Sequence, residues 1–246
     1  MNNLEQNKIV NPITKEIIEV AAKAFEEVLD WNTAKNECEK LGEGWRLPTR
    51  IELLEICKQF DQLNLIEDNY WSNTQGSLDN DSAGRVFITK DPELLVSENK
   101  YWLSGKDNSF KILPVKSVSK PQELNVLQEL KCDGKTIEIS DNDLPVLISF
   151  FEAKQACEMF SDGWRMPTNK ELETIREKLH HKGIGRFKNE MYWSIVPDGA
   201  SGHLVYPGHG EGWFFGDEAD SPSFVDEEQD LYSCRPVRDS GVDLNY

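Results

Sequence analysis

Residues 29–56 read LDWNTAKNECEKLGEGWRLPTRIELLEI, and residues 148–175 read ISFFEAKQACEMFSDGWRMPTNKELETI. The two stretches align without a gap at an offset of 119, and twelve of the 28 positions are identical. Chance would give about two matches, so the chain contains a duplicated domain. The shared residues include Ala34/Ala153, Cys38/Cys157, Gly44/Gly163, Trp45/Trp164, Arg46/Arg165, Pro48/Pro167, Thr49/Thr168 and Glu52/Glu171.

The repeat extends outward from this core. Ile18-Glu19-Val20 matches Ile137-Glu138-Ile139 at the same offset. Tyr70-Trp71-Ser72 matches Tyr192-Trp193-Ser194, and Pro114-Val115-Lys116 matches Pro236-Val237-Arg238, both at an offset of 122. The second copy therefore carries three extra residues ahead of its Tyr-Trp-Ser strand. The expected domains are 8–118 and 131–240, with 119–130 as a linker marked by Lys120-Pro121 and able to form a short helix.

Local signals agree between the copies. Trp31, Ala34, Cys38 and Leu41 form one helical stripe, as do Phe150, Ala153, Cys157 and Phe160. Ser149-x-x-Glu152 is a capping box, and Asp30 can cap the first copy. Gly44 and Gly163 suit a turn with positive φ. Thr49-x-x-Glu52 and Thr168-x-x-Glu171 open a second helix, expected to bury Ile51, Leu54 and Cys57 in copy one and Leu172 and Ile175 in copy two. Strands are expected at both Tyr-Trp-Ser segments and at 85–88, 101–103, 110–113 and 203–206. Strands at both ends, two early helices and short late strands make an α+β domain. Trp45 and Trp164 read as core, and Arg46 and Arg165 as guanidinium groups needing a carboxylate or strand-end carbonyls.

The string Gly-Trp-Arg-Leu/Met-Pro-Thr-x-x-Glu-Leu, followed by Tyr-Trp-Ser and a closing Arg-Pro-Val-Arg, resembles the bacterial domain at the C-terminus of collagen-like adhesins, within the wider C-type-lectin-like fold. The resemblance implies two tandem C-type-lectin-like domains, each a small, mainly antiparallel looped sheet with paired terminal strands and two flanking helices. It also implies that the long loop between the middle and last strands carries the binding surface. Here that loop spans 75–108 in copy one and 197–230 in copy two. In such domains a cysteine of the first helix can bond one on the last strand. Cys157 and Cys234 occupy those places, whereas Ile112 replaces the partner of Cys38. Read from the residues, all five cysteines are expected to be free thiols acting as small buried hydrophobes.

Charge narrows the partners. With 27 Lys and Arg against 44 Asp and Glu, the formal charge is −17. Such a surface disfavours nucleic acid and anionic lipid and leaves basic protein faces, cations and neutral ligands such as glycans. No apolar stretch approaches membrane-spanning length, so no membrane insertion is expected. The N-terminal residues show no signal peptide, which points to the cytoplasm or to a phage virion assembled there.

No Ser/His/Asp order, phosphate loop, HExxH or HxxxHxE string occurs, and the zinc-ribbon CxxC pair is absent, so no catalytic residue is assigned. Oxidases of the formylglycine-generating type share the broad fold but need a late cysteine pair, and Cys234 stands alone there. The richest segment is 203–230. His203, His209, Asp226 and Glu228 are its weak metal candidates, and its run of carboxylates without Lys or Arg from 211 to 230 would suit calcium, although the bland reading is a solvated acidic loop with no cofactor. Its aromatic run offers two readings. Alternation in a strand puts Trp213 and Phe215 inside and Phe214 outside, whereas exposed rings beside carboxylates make a recognition patch. The expected contact residues are Tyr206, His209, Glu211, Trp213, Phe214 and Asp217, joined by Tyr101 and Trp102 of copy one. The expected function is non-enzymatic recognition of a protein or glycan. The alternatives are a phage or mobile-element structural or inhibitor protein, and a formylglycine-generating-like or metal-dependent oxidoreductase.

Overall fold

The computed structural model describes residues 7–75, 81–91, 93–95, 103–160, 162–195, 210–214 and 230–240, with the backbone alone at 75 and 210–214. The chain divides into two units, Met1–Pro121 and Gln122–Tyr246. The protein is mixed α+β, with short helices and small antiparallel sheets.

Unit one runs β1 (Lys8–Val10), β2 (Ile17–Val20), α1 (Trp31–Lys40), β3 (Trp45–Arg46), α2 (Arg50–Cys57), β4 (Asp68–Gln75), β5 (Ser82–Ile88), β6 (Leu103–Gly105) and β7 (Val115–Ser117). Its sheets have the orders β1-β2-β7-β3 and β4-β5-β6. Unit two runs β8 (Val126–Cys132), β9 (Lys135–Ser140), α3 (Phe150–Met159), α4 (Asn169–Lys178), a 3-10 turn at His180–Lys182, β10 (Met191–Ile195), β11 (Gly210–Phe214) and β12 (Val237–Asp239). Its sheets are β12-β9-β8 and β10-β11.

The same backbone bonds recur inside each unit. Leu29 bridges Phe110 and Ile148 bridges Tyr232. Phe25 N–H donates to Ile112 O, as Leu144 N–H does to Cys234 O. Trp71 Nε1 donates to Leu29 O at 2.8 Å, and Trp193 Nε1 to Ile148 O at 2.6 Å. Each indole therefore buries its ring while its one donor satisfies a carbonyl at the mouth of a helix.

Helix starts follow the sequence. Asp30 caps α1, and capping boxes form at Thr49/Glu52, Ser149/Glu152 and Thr168/Glu171. Gly44 and Gly163 take φ of +82° and +74°. Several expectations need correction. Leu41 sits at the C-cap of α1, 48 % exposed, because the chain turns at Gly42 with φ +120°. The buried face of α2 is Leu53, Ile56 and Cys57, while Ile51 and Leu54 are half-buried; Leu53 and Ile56 align with the buried Leu172 and Ile175. The expected linker becomes a strand from Val126, with no helix between 119 and 130. Asp133-Gly134, both at positive φ, closes the β8–β9 hairpin with two loop residues, which draws the segment into the sheet. Trp164 is core as expected, whereas Trp45 is half-buried. Phe110–Leu113 contributes isolated bridges rather than a full strand, and 203–206 lies outside the described residues.

The Gly-Trp-Arg arginines find both expected partners. Arg46 Nη1 and Nη2 reach Glu52 Oε2 and Oε1 at 2.8 and 2.9 Å, and Nη1 also reaches Leu47 O at 3.1 Å. Arg165 grips Glu171 with two bonds of 2.8 Å and reaches Met166 O at 3.2 Å. Glu52 is fully buried and also accepts from Thr49 N–H at 2.8 Å and Asn11 Nδ2 at 3.1 Å. Burial by itself would raise the pKa of Glu52, but the Arg46 bonds and charge, the Thr49 N–H and Asn11 outweigh it and hold the pKa below its ordinary 4.5. A depressed folded-state pKa means stability that is present above the ordinary value and lost as pH falls through the folded one. Glu52→Gln is therefore expected to lower unfolding stability by about 2 kcal/mol at pH 7. Urea titrations from pH 7 to pH 3 should show the gap to wild type narrowing below pH 4.5; a constant gap would refute the assignment.

Candidate functional site

Unit two holds the segment singled out in the sequence, 197–230, between two fixed roots. The outgoing root is β10. Ile195 N–H donates to Pro167 O at 2.9 Å, and Trp193 N–H to Ser233 O at 2.9 Å. Tyr192, Trp193 and Ser194 are all buried. The returning root is 230–234. Tyr232 and Ile148 exchange backbone bonds of 3.1 and 3.2 Å, and the Tyr232 ring lies 4.6 Å from that of Trp193. Tyr232 also donates its hydroxyl to Asp230 at 3.0 Å, and burial followed by the Asp230 bond and charge pushes its pKa up to about 12.

β11 lies between these roots in sequence and pairs with β10. Its register sets Glu211 opposite Ser194, Trp213 opposite Tyr192 and Phe214 opposite Met191. In unit one Val86 is opposite Tyr70 and Phe87 opposite Asn69. The residues at the positions of Trp213 and Phe214 are thus Val86, buried, and Phe87, half-buried. Of the two readings of the aromatic run, a strand is present over Gly210–Phe214. Tyr101, Trp102, His203, Tyr206, His209, Asp217, Asp226 and Glu228 lie outside the described residues, as does Phe215. The structure brings Glu211, Trp213 and Phe214 onto one strand.

A charged anchor beneath β10 was missed in the sequence. Arg235, 1 % exposed, donates from Nε to Asp143 at 2.6 Å, from Nη1 to Ser140 O at 3.1 Å and from Nη2 to Gly185 O at 3.0 Å. Its guanidinium also lies 4.0 Å from the centre of the Phe187 ring. Asp143 accepts from the Tyr192 hydroxyl at 2.9 Å, and burial together with that carboxylate raises the Tyr192 pKa. The Gly185 carbonyl belongs to the stretch 180–190, where the second copy carries its extra residues. Gly185 has φ of +90°, and a Cβ there would come within 2.7 Å of both Phe187 and Leu127. Unit one has Leu113 at the position of Arg235. The Arg-Leu difference within the closing motif was the available signal.

The thiols are free and buried. Burial, then the charges of Glu39 and Glu37, pushes Cys38 up to about 12, and burial also raises Cys57 and Cys132. None of these three is primed as a thiolate. Cys157 and Cys234 lie with their sulfurs 3.7 Å apart. Among the described residues no His, Cys, Asp or Glu group is arranged to hold a metal, and no helix is long and apolar enough to cross a membrane. A surface cleft of about 510 Å³ in unit one is lined by Cys57, Phe60, Thr89, Lys90 and Leu95 among others, and involves none of the expected contact residues.

No protein-family model matches the chain, and no curated protein matches its sequence.

Replacing the buried Arg235 by Leu, its unit-one counterpart, strands Asp143 without its cation. Arg235→Leu is expected to cost about 3 kcal/mol of unfolding stability, and Asp143→Asn added to it should restore part of the loss. Urea unfolding of the two single variants and the double variant checks this; strict additivity would contradict the coupling.

Proposed function

We propose that this protein is a non-enzymatic recognition module pair, built from two tandem C-type-lectin-like domains, in which 197–230 contacts a partner protein or glycan. The observation that carries the reading is the contrast between frame and excursion. The repeated charged and aromatic residues are spent on structure: Arg46 and Arg165 on their helix caps, Trp71 and Trp193 on helix-mouth carbonyls. The excursion between the fixed roots has no such repeat and concentrates aromatic residues with carboxylates. A rigid frame that presents a divergent loop suits binding.

Glu211, Trp213 and Phe214 belong to the proposed contact set on β11, and Phe214 leads it because its unit-one counterpart Phe87 is half-buried, whereas the counterpart of Trp213 is the buried Val86. Tyr206, His209 and Asp217, from the same stretch of sequence, extend it, and Tyr101 and Trp102 are the copy-one counterpart. The excess of carboxylates favours a basic protein face.

The immobilised full chain, challenged with a glycan array and a panel of basic proteins, should retain at least one ligand. Glu211→Ala with Phe214→Ala is expected to weaken that retention about tenfold or more with the melting temperature unchanged. For a basic protein, retention should also fall with added salt. Retention unaffected by the double variant, or turnover of a small molecule by the purified chain, would overturn the reading.

A further inference from the structure

We propose that residues 178–188 of unit two bind a compact polyphosphate, at a site made of residues outside the contact set above. The stretch 176–188 reads REKLHHKGIGRFK. It holds five of the chain's 27 Lys and Arg residues, two of its four His residues and one of its 44 carboxylates. In a protein of formal charge −17 this is a local reversal of sign. Lys178, His181, Lys182, Arg186 and Lys188 are exposed, and His180 is half-buried.

Nothing in the fold calls for these cations. The aligned stretch of unit one, 57–66, reads CKQFDQLNLI, with one Lys and one Asp. Helix α2 there has no basic residue in its last turn, whereas α4 has Arg176 and Lys178. The dipole of α4 favours those two. Lys182, Arg186 and Lys188 lie beyond the helix, where crowding of like charge works against the fold. Other lysines on or beside helices pair with a glutamate one turn away, as Lys40 does with Glu37, Lys58 with Glu55 and Lys170 with Glu173. Lys178 has no Asp or Glu three or four places away. Among the described residues Lys178, Lys182 and Arg186 have no ion-pair partner, while Lys188 meets Glu190 at 3.2 Å.

The backbone holds the cations ready. The N–H groups of Lys182 and Ile184 both donate to Leu179 O at 3.0 Å, and that of Gly183 to His180 O at 2.8 Å. The Gly185 carbonyl accepts from the buried Arg235, and Lys188 N–H donates to the Tyr192 hydroxyl at 3.0 Å. The His180 ring lies 6.4 Å from that of Phe187, which brings the two ends of the turn together. A turn fixed in this way lowers the ordering cost of binding.

Charge selects the ligand class. Arg186 can grip two phosphoryl oxygens at once, and the lysines and imidazoles add N–H donors around it. Nucleic acid or a lipid surface extends past the turn onto the acidic remainder of the protein, which repels it. An acidic peptide spreads its charge along a longer backbone and meets the same repulsion. A short chain of phosphoryl groups, free or carried by a nucleotide, concentrates its charge within the turn.

Titration calorimetry of the full chain in low salt, with inorganic tripolyphosphate, ATP and orthophosphate as probes, tests the site. Tripolyphosphate should bind, weaken with added salt and slow amide exchange at 178–188, and orthophosphate should bind at least about tenfold more weakly. ATP binding as tight as tripolyphosphate supports the site with a nucleotide as the source; weaker ATP binding supports it with the free polyphosphate. Lys182→Gln with Arg186→Gln should weaken tripolyphosphate binding about tenfold or more with the ligand-free melting temperature unchanged. Lys178→Gln with Lys182→Gln gives a second variant should the first fail to fold, and Lys58→Gln in unit one should change nothing. No tripolyphosphate binding at millimolar concentration, binding indifferent to both double variants, slowed exchange elsewhere than 178–188, or equally tight binding of an oligoglutamate peptide or duplex DNA would each overturn the proposal. None of these readouts depends on a partner for 197–230.

Discussion

The carboxylate of Glu52, and its counterpart Glu171, is the point at which each unit is tied together. A helix begins there, and its first turn leaves N–H groups without partners. The capping box satisfies some of them, and the same glutamate accepts the Thr49 or Thr168 N–H in return. A carboxylate buried only for that purpose would be costly. The arginine six residues upstream removes the cost by gripping both oxygens, and it leans on the carbonyl that follows it. Since Arg46 and Arg165 lie where the chain pairs with the last strand, one ion pair fixes the helix start, the turn before it and the C-terminal strand.

Around this point the two units solve the same problem with different residues. Unit one adds Asn11 from the β1–β2 loop to Glu52 and sets Ser117 within 3.5 Å of Arg46. Unit two closes its corresponding hairpin tightly at Asp133-Gly134 and supplies Asp239 at the position of Ser117, 2.5 Å from Arg165. The guanidinium keeps its surroundings polar in both cases, by a route that drifted with loop length. Arg235 is the larger departure. A buried cation replaces Leu113, and Asp143, Tyr192 and the Gly185 carbonyl assemble to hold it. The inserted residues of unit two thereby acquire an anchor beneath the strand from which 197–230 departs.

The cysteines show the same economy of place. Cys38 and Cys157 occupy one site on equivalent helices, and what differs is the residue that returns to meet them. A thiol against Ile112 is a small apolar contact, whereas Cys157 meets a second buried thiol, that of Cys234, at 3.7 Å. The difference arises at one position, Ile112 in unit one and Cys234 in unit two.

The sequence alone settled what is local or repeated. Capping boxes at Thr49, Ser149 and Thr168, positive φ at Gly44 and Gly163, the need of Arg46 and Arg165 for a carboxylate, and the α+β class all follow from short-range chemistry read twice. The misses came where a local signal competed with a distant one. Asp133-Gly134 marked a hairpin, yet its partner strand lay in a stretch that Lys120-Pro121 made look like a linker. The α2 stripe was misphased because Ile51 and Leu54 are as apolar as Leu53 and Ile56, and packing against the sheet decides which pair is inside. Tertiary structure alone decided which carboxylate meets which guanidinium across long loops, as Arg235 meets Asp143. Such pairings depend on how the chain closes in space, and no short-range preference encodes them.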